Sequence, residues 1–453
     1  MPALQVPTDL IARYDTPGPR YTSYPTVPAW EGPFGPAEYR EALIELAGAE
    51  SEAVSVYVHI PFCGYRCHYC ACNVTLAGRP DAADDYLDRL ERELVLVTEI
   101  LGRNRRPVQL HLGGGTPNSL TLPQFSRLSR MLESRFAFDA EGERSIEADP
   151  RLVTREQLLA LRDHGYRRIS FGVQDFDAEV QVAIGRLQPE AVVRAAVELA
   201  RDTGFEGINL DLVYGLPKQT VTGFEHTLHT ALALQPDRVA CYNYAHVPRV
   251  RHNQRLIDAA ALPSRDDKFR LFQMAVEAFT GSGYEWIGLD HFARGNDELA
   301  CAAREGRVGR DFMGYTTRTT PHLLGFGMSA IGDIAGRFIQ NVPRTGQYQR
   351  DLDAGELPVE RGHRLSDDDK ARRLAILRLM CNLDLPYRIL PPPVDQSAAR
   401  LQPLIDDGLV TAARERYEVT SRGRWFLRNI AMALDAYLPQ QIAQARPVFS
   451  RTV

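Results

Sequence analysis

Six short β-rich segments alternate with helical patterns between residues 53 and 245, and this order restricts the possible folds more than any other feature. The predicted strands are 53–60, 108–112, 144–148, 167–173, 207–215 and 237–245. Helical periodicity covers 84–101, 154–165 and 190–204 between them. Strands that alternate with helices form parallel βα units, and several of these strands are nearly continuous apolar runs, as in sheets covered on both faces. The sequence therefore predicts an α/β fold, a six-stranded β/α barrel or part of one. No GxGxxG follows the first strand, which disfavours a dinucleotide-binding sheet.

The pattern changes in the C-terminal part of the chain. It becomes irregular after residue 293, with a Gly/Thr-rich stretch over 314–336, and a second unit begins with a capped helix near Ser366. Residues 401–438 then read as helix, strand, turn, strand, helix, which is a winged-helix outline. Many winged helices bind DNA, but these strands mix acidic and basic residues and offer no uniformly basic face. A packing domain is the favoured interpretation.

Four of the seven cysteines lie within ten residues, in CGYRCHYCAC (63–72), directly after the first predicted strand. Cys63, Cys67 and Cys70 follow a C-x3-C-x2-C spacing. Three thiolates on one short loop can each bind one iron of a [4Fe–4S] cube, and the fourth iron then stays open to a small molecule. The spacing favours an iron–sulfur site with one open position.

A zinc site is the alternative interpretation of the same loop. Four-cysteine zinc sites usually combine two C-x2-C pairs that are well separated along the chain, whereas a single residue separates Cys70 from Cys72. His59 and His68 could serve as further ligands, although each is equally expected as an ordinary loop or packing histidine. On the loop alone, both kinds of metal site stay open.

Further candidate site residues follow the later strands. HLGGGTPNSL (111–120) comes after the second strand, and its three glycines allow a ligand close to the backbone, or simply a tight turn. Polar residues also recur at or near the carboxyl ends of later strands, where β/α barrels form their active sites. These residues are Glu147, Gln174, Arg186 and Asp211.

Charge and cysteine usage exclude several classes of function. The net charge of −5 provides no field that would recruit nucleic acid or an anionic membrane. No apolar run is long enough to span a bilayer, and the first 25 residues lack the apolar segment of a secretory signal. An odd number of cysteines with one tight cluster fits a reducing compartment, with Cys241, Cys301 and Cys381 as packing residues. We therefore predict a cytoplasmic protein.

An ordered set of motifs extends over almost the whole chain. The motifs are PRYTSYPT, VYVHIPFC, HLGGGTP, GVQDF, LDLVYGLPKQT, NYAHVP, GLDHFAR, GYTT and GRWFLRNI. With the cysteine spacing, this set resembles the radical S-adenosylmethionine (SAM) enzymes and, more narrowly, the oxygen-independent coproporphyrinogen III oxidases (dehydrogenases) of bacterial haem synthesis. The cysteine spacing alone fits many unrelated radical enzymes, but the motifs in this order are specific.

The resemblance implies a radical mechanism. The open iron of a [4Fe–4S] cluster binds the amino and carboxylate groups of SAM, and one electron cleaves SAM into methionine and a 5′-deoxyadenosyl radical. The radical abstracts a hydrogen from a propionate of coproporphyrinogen III, and loss of CO2 and one electron leaves a vinyl group. Two propionates react, so the expected product is protoporphyrinogen IX.

The resemblance also suggests roles for individual residues. Those matching contacts to the cluster-bound SAM are Tyr57, Gly114, Glu147 and Ile331. The family has a second SAM site, and its contacts resemble Tyr69, Gly115, Thr116, Gln174, Arg186, Asp211 and Ala245. Tyr69 stands where the family often has Phe, and we expect the aromatic contact to survive that change.

Cys72 belongs to the extended loop pattern of the family but is a poor fourth ligand beside Cys70. We expect it to face the substrate and to assist turnover as a proton or hydrogen donor, with loop packing as the alternative. Propionates need cationic or hydroxyl partners. Candidates in the motif segments are Arg20, Tyr21, Tyr24, Arg249 and Arg294, each of which is equally expected in a surface or structural ion pair.

The expected architecture is a partial (β/α)6 radical-SAM barrel with an N-terminal extension and a mainly helical, winged-helix-like C-terminal domain. The predicted domains are an extension closing the barrel (1–52), the barrel core (53–300), a connecting segment packing on the barrel (301–363) and the C-terminal domain (364–453). The resemblance further implies a monomer that receives electrons from a flavodoxin- or ferredoxin-type donor.

Three other functions compete with the oxidase. A related haem-carrying chaperone keeps the radical-SAM loop, but it usually has an aromatic residue at the position of Cys72 and lacks the YTSYPT segment. A radical-SAM methyl transferase or cyclase on the same scaffold can be excluded only by a substrate assay. A zinc-stabilised nucleic-acid binder is disfavoured by the acidic net charge.

Overall fold

A computed structural model describes residues 6–76, 78–79, 81–102, 105–443 and 449–452. Its α-helices are α1 (Thr8–Tyr14), α2 (Pro36–Gly48), α3 (Ala82–Leu101), α4 (Leu122–Glu133), α5 (Arg155–Asp163), α6 (Ala178–Ala183), α7 (Glu190–Asp202), α8 (Val221–Ala233), α9 (Arg265–Gly281), α10 (Glu298–Arg304), α11 (Thr345–Asp353), α12 (Asp367–Asn382), α13 (Val394–Asp406), α14 (Leu427–Met432) and α15 (Leu438–Ala443).

The strands are β1 (Val54–Ile60), β2 (Phe62–Cys63), β3 (Thr75–Leu76), β4 (Pro107–Gly114), β5 (Glu143–Ala148), β6 (Arg168–Gln174), β7 (Gly207–Tyr214), β8 (Arg238–Asn243), β9 (Tyr284–Gly288), β10 (His291–Arg294), β11 (Gly309–Asp311), β12 (Gly314–Thr316), β13 (His322–Phe326), β14 (Ile331–Ile334), β15 (Arg337–Asn341), β16 (Val359–Arg364), β17 (Asp384–Pro386), β18 (Val410–Ala412) and β19 (Arg416–Val419). All six predicted strands and all three predicted helices are confirmed within a few residues at their ends.

The described residues divide into two compact units. The cysteine-loop unit comprises Glu31–Asp211 and Thr320–Arg364, and the terminal unit comprises the described parts of Met1–Trp30, Leu212–Thr319 and Leu365–Val453. The bounds of the four predicted domains stay a prediction. None of the helices in the described part of the chain combines the length and apolar character needed to cross a membrane.

The cysteine-loop unit is built on a mainly parallel sheet. Its strand order is β16-β15-β14-β13-β1-β4-β5-β6-β7, and β7 extends past the last residue of the unit. The pairs from β13 through β1, β4 and β5 to β6 are parallel. A helix connects β1 to β4, β4 to β5 and β5 to β6. The first of them, α3, illustrates the apolar face that such a helix buries. Its residues Leu87, Leu90, Leu94 and Val97 recur at three- and four-residue intervals and are buried, and Gly102 ends the helix with a φ of 88°.

The expected irregularity over 314–336 is wrong in part, because this region supplies β13 and β14. β13 pairs in parallel with β1, and β14, β15 and β16 continue the sheet in antiparallel pairs. β13 has five residues and β14 has four, and strands this short carry little side-chain periodicity, which is why the sequence pattern missed them. A Cβ on Gly325 of β13 would lie 2.6 Å from the carbonyl oxygen of Ile331.

The terminal unit has its own sheet segments and core. β8, β10 and β9 are neighbouring antiparallel strands, and β17, β19 and β18 form a small antiparallel sheet. Ser366 caps α12 as predicted, accepting a hydrogen bond from the Asp369 N–H at 3.1 Å. The core of this unit unites the N-terminal residues Leu10 and Tyr21 with the buried faces of α12 and α14.

Candidate active site

The cysteine loop runs from the end of β1 to β3 and is held by backbone and histidine contacts. The His68 N–H donates to the Ile184 carbonyl at 2.9 Å, and Nδ1 of His68 lies 3.2 Å from the Ala183 carbonyl. Nε2 of His59 lies 2.9 Å from the Asn73 carbonyl. Both histidines that were candidate zinc ligands therefore hold the loop in place through these contacts.

The three spaced thiols differ in environment, and each contacts a different hydrogen-bonding group. Cys67 is buried, Cys63 and Cys70 are half-buried, and Cys72 is exposed. Sγ of Cys63 lies 3.3 Å from Oγ1 of Thr116, and Sγ of Cys67 lies 3.7 Å from Nη1 of Arg186. Burial raises the pKa of both thiols, and these two contacts oppose that rise by favouring the thiolate.

The Cys70 sulfur is contacted from within the loop itself. The backbone N–H of Cys72 donates a hydrogen bond to Sγ of Cys70, over a distance of 3.4 Å. The charges of Cys67 and Cys70 each raise the pKa of Cys63, which requires the three sulfurs to lie near one another.

The glycine loop brings the end of β4 directly against the cysteine loop. The Gly115 N–H donates to the Ile60 carbonyl at 2.8 Å, and a Cβ on Gly115 would lie 2.5 Å from the Pro61 carbonyl oxygen. Gly114 has a φ of 121°, and a Cβ there would lie 2.8 Å from the His59 ring. Close backbone packing accounts for both glycines, and their contact with SAM stays a prediction.

Polar side chains line one face of the sheet at β4, β5 and β6. The burial patterns of β5 and β6 alternate between buried and half-buried residues. Tyr57 on β1 stacks on His111 with ring centroids 6.0 Å apart. Nδ1 of His111 lies 2.7 Å from the Ser145 hydroxyl, and Nε2 lies 3.3 Å from Oε1 of Glu147.

Two carboxylates on this polar face have opposite pKa shifts. Glu147 accepts the Gly114 N–H at 3.1 Å; burial opposes its ionisation, but the contacts to His111 and Gly114 outweigh burial and lower its pKa. Asp211 accepts the Ser170 hydroxyl at 3.0 Å and the Asn209 amide at 2.8 Å. Burial and the charge of Glu147 nevertheless raise the pKa of Asp211 to about 7.

Arg186 links the cysteine loop to the strand ends. Its Nη1 lies 3.3 Å from Oδ2 of Asp149, and its Nη2 donates to the Gly172 carbonyl at 2.7 Å. Burial opposes its charge, but Tyr69, Asp149 and Cys67 raise its pKa, so the guanidinium remains cationic. Gln174, at the end of β6, is buried and has a φ of 70°, an unusual conformation for a residue other than glycine.

The comparisons with known proteins cover the chain from end to end. The family profile described as "Radical SAM superfamily" matches residues 57–231, and "HemN C-terminal domain" matches residues 365–426. The chain is 42% identical over 452 residues to the oxygen-independent coproporphyrinogen III oxidase of Escherichia coli, covering 98% of both chains. It is 41% identical to the Pseudomonas aeruginosa enzyme of the same name, again over 98% of both. The solved structure titled "Coproporphyrinogen III oxidase (HemN) from Escherichia coli is a Radical SAM enzyme" superposes with a TM-score of 0.89 at 41% identity, covering 96% of this chain and 100% of that chain.

The chain belongs to the oxygen-independent coproporphyrinogen III oxidase family. Membership confirms the resemblance and the α/β radical-SAM fold. The cofactors of radical-SAM proteins are a [4Fe–4S] cluster and SAM.

The three spaced cysteine thiols of this chain fit a [4Fe–4S] cluster. Cys63 interacts electrostatically with both Cys67 and Cys70, and each of the three sulfurs has its own polar contact. Among the residues that the structure describes, no three His, Cys, Asp or Glu side chains are grouped as ligands of a single metal ion would be. In a cube each thiolate binds a different iron, so the sulfurs need not converge on one point.

The remaining candidates from the family motifs are distributed over both units. Ile331 begins β14 in the cysteine-loop unit, and Tyr69 is half-buried between two of the spaced cysteines. Ala245 and Arg249 belong to the terminal unit, where both line one cavity of about 790 Å³. The cofactor and substrate roles of these residues stay predictions.

The other four candidate substrate residues have partners within the terminal unit. Arg20 pairs with the buried carboxylate of Asp290. The Tyr21 hydroxyl donates to Asp435 at 2.9 Å, and the Tyr24 hydroxyl accepts the Ala436 N–H at 3.0 Å. Arg294 donates to the Pro236 carbonyl at 3.0 Å and to the Gln235 carbonyl at 2.8 Å. A structural role accounts for these contacts, so substrate binding by these four residues is not required to explain their positions.

Sequence reasoning missed three supporting groups of the site. Asp149 pairs with Arg186, His111 contacts Glu147, and Ser170 donates to Asp211. The sequence does contain a pattern that could have indicated these groups. In several strands two polar residues are separated by one position, as in Ser145–Glu147 and Asn209–Asp211. Side chains two apart in a strand share a face, so this pattern marks a polar sheet face.

Proposed function

We propose that this protein catalyses the oxidative decarboxylation of two propionate side chains of coproporphyrinogen III to vinyl groups, giving protoporphyrinogen IX. The observation that carries the proposal is the full-length similarity to the E. coli oxidase, which covers 98% of both chains. A shared fold alone would not specify a substrate, but these matches extend through both units.

Cys63, Cys67 and Cys70 would hold the [4Fe–4S] cluster. When bound, the cluster and SAM supply the carbon radical that removes a propionate hydrogen, after which CO2 and one electron leave. Glu147 would accept a hydrogen bond from a ligand amino group, which is supported by the Gly114 N–H that donates to one of its oxygens. Arg186 keeps a positive charge beside the Cys67 thiol and Asp149. Tyr57 packs against the ring of His111, which contacts Glu147.

A second SAM molecule is part of this proposal. Its contacts would be Tyr69, Gly115, Thr116, Gln174, Arg186 and Asp211, with Ala245 from the terminal unit. Cys72 would act on the substrate side, which is supported by its exposure, whereas Cys67 is buried. We further propose a monomer in the cytoplasm that takes electrons from a flavodoxin- or ferredoxin-type donor, because a thiolate-bound cluster needs a reducing compartment.

Anaerobic reconstitution with iron and sulfide, followed by SAM, a reductant and coproporphyrinogen III, tests the function. We expect methionine, CO2 and a porphyrinogen with two vinyl groups. Cleavage of SAM without a vinyl product would contradict the substrate assignment and leave the radical-SAM assignment intact. Failure to incorporate iron after reconstitution would contradict both.

A further inference from the structure

The terminal unit contains a cavity of about 790 Å³, a volume within the usual range for ligand pockets. Part of its wall is apolar, from Tyr244, Val247 and Leu262. Four cationic side chains also line it: Arg249, Arg265, Lys268 and Arg451. Asp15 is the single carboxylate in the described lining, so the cavity has a surplus of positive charge.

Two of these cations already have carboxylate partners. Nε of Arg451 donates to Oδ2 of Asp15 at 2.6 Å, and Nε of Arg265 donates to Asp266 at 2.9 Å. Within the described part of the chain, Lys268 and Arg249 make no ion pair within salt-bridge distance. These two side chains are therefore the cations available to a ligand.

The position of Lys268 is built into the fold. Its side chain passes over Gly215, where a Cβ would lie 2.8 Å from Cε of Lys268. Gly215 directly follows β7 and has a φ of 83°, so this position accommodates the lysine side chain only because it has none of its own. Lys268 lies in the first turn of α9 and is half-buried, which fixes the ammonium at the cavity wall.

In the part of the chain that the structure describes, the positive charge of Lys268 has no ion-pair partner to offset the cost of its burial. Burial lowers the pKa of Lys268 to about 8; Asp15 opposes this shift, and Arg428 and Arg451 add to it. Asp15 Oδ1 is itself buried and has no hydrogen-bond partner among the described residues. A partly buried cation without an ion pair is costly, and an anionic ligand would remove that cost.

We infer that Lys268, with Arg249, forms a carboxylate-binding subsite that holds propionate side chains of the porphyrinogen. The inference rests on the proposed function and names the residues that recognise its substrate. An apolar wall with two available cations suits a ligand that combines an apolar pyrrole ring with several carboxylates. SAM also carries a carboxylate, so the test separates the two ligands.

The test measures ligand binding by the reconstituted protein under anaerobic conditions. Coproporphyrinogen III is titrated without SAM and followed by quenching of tryptophan fluorescence, and SAM binding is measured separately by equilibrium dialysis without reductant. The variants are Lys268→Gln and Arg249→Gln, which remove the charge. Arg270→Gln is the matched control, because Arg270 lies on the same helix, is exposed and does not line the cavity.

We expect Lys268→Gln, which removes a partly buried cation, to weaken porphyrinogen binding by about 10- to 100-fold, as for loss of one partner of a desolvated ion pair. Arg249 is exposed, so Arg249→Gln should weaken binding by about 2- to 5-fold. SAM binding and the Arg270→Gln control should stay unchanged. The tetramethyl ester of the porphyrinogen, which lacks free carboxylates, should bind the wild type and Lys268→Gln equally weakly.

Three results would overturn the inference. Weaker binding of SAM but not of porphyrinogen would assign the subsite to the SAM carboxylate. Unchanged porphyrinogen binding would leave Lys268 a structural residue, even if stability fell, and equal weakening of both ligands would indicate general damage to the unit. If the wild type forms the vinyl product, these outcomes contradict the subsite alone. A wild type that neither binds nor converts the porphyrinogen would contradict the proposed function and the subsite with it.

Discussion

Arg186 contacts the sulfur of Cys67 and the carboxylate of Asp149 with the same nitrogen, at 3.7 Å and 3.3 Å. A buried cation beside a thiolate stabilises the more negative state of a bound cluster, because charge and hydrogen bonds at the sulfurs set its reduction potential. We therefore predict that Arg186→Gln lowers the midpoint potential of the reconstituted cluster by about 50–100 mV, on a scale where 59 mV is a tenfold change for one electron.

A redox titration followed by electron paramagnetic resonance measures this shift. Arg151→Gln is the comparison, because Nε of Arg151 also donates to Asp149, at 2.8 Å, and its charge interacts with Cys63 without a described hydrogen bond to a cysteine sulfur. Equal shifts in both variants would show that positive charge near the cysteines, rather than the contact to Cys67, controls the potential.

Cys72 offers a test of the fourth thiol in the loop. The backbone N–H of Cys72 contacts the Cys70 sulfur, and the thiol of this exposed residue also hydrogen-bonds with Cys70. Because serine preserves that N–H, Cys72→Ser should retain the full iron content and lose at least about 90% of vinyl formation, corresponding to about 1.4 kcal/mol of activation free energy. Iron and sulfide analysis with a product assay checks both parts. Cys70→Ser is the comparison and should lose iron, and iron loss in Cys72→Ser would instead make Cys72 a ligand.

Gly115 should tolerate no side chain. A Cβ there would lie 2.5 Å from the Pro61 carbonyl oxygen, and backbone atoms cannot rotate away as a side chain can. Gly115→Ala should lower the free energy of unfolding by about 1–3 kcal/mol, as overpacking does elsewhere, and should also reduce iron incorporation because the clash displaces the cysteine loop. Urea unfolding measures the first effect. Gly48→Ala is the control, since a Cβ there meets nothing within 4 Å; equal losses in both variants would reject the packing explanation.

Glu93 should make the stability of the protein depend on pH. Its carboxylate is buried and accepts the Gly327 N–H at 2.8 Å, the Tyr348 hydroxyl at 2.7 Å and the Asn341 amide. Burial nonetheless raises its pKa from 4.5 to about 7. The folded state therefore holds a proton that the unfolded state has lost between these values, so the free energy of unfolding should fall as pH rises from 4.5 to 7.

The magnitude of this effect is at most about 3 kcal/mol, from roughly 1.4 kcal/mol per unit of pKa difference. Denaturant unfolding at several pH values measures the effect. In the Glu93→Gln protein, the free energy of unfolding should depend less steeply on pH, because glutamine does not titrate. Glu99→Gln on the same helix is the control, as Glu99 is exposed. An unchanged slope in Glu93→Gln would show that other groups cause the pH dependence.

The sequence by itself determined the order of elements and the kind of chemistry. Residues 53–245 alternate strand and helix because period-2 and period-3.6 apolar patterns are local properties of the chain. The spacing of Cys63, Cys67 and Cys70 is equally local, since all three fall on one short loop. The ordered motifs then indicated the family, which the full-length relatives confirm.

Only the tertiary structure decided which residues support those three cysteines. Thr116 lies 53 positions from Cys63, and Arg186 lies 119 positions from Cys67, so no local pattern links either pair. The short strand β13 likewise pairs with β1 through backbone hydrogen bonds, which have no counterpart in a side-chain pattern. Lys268 in α9 and Gly215, directly after β7, are also far apart in the sequence and meet only in the folded terminal unit. Contacts of this kind depend on which segments the folded chain brings together, and that is why the sequence indicated the chemistry while the fold decided its supporting residues.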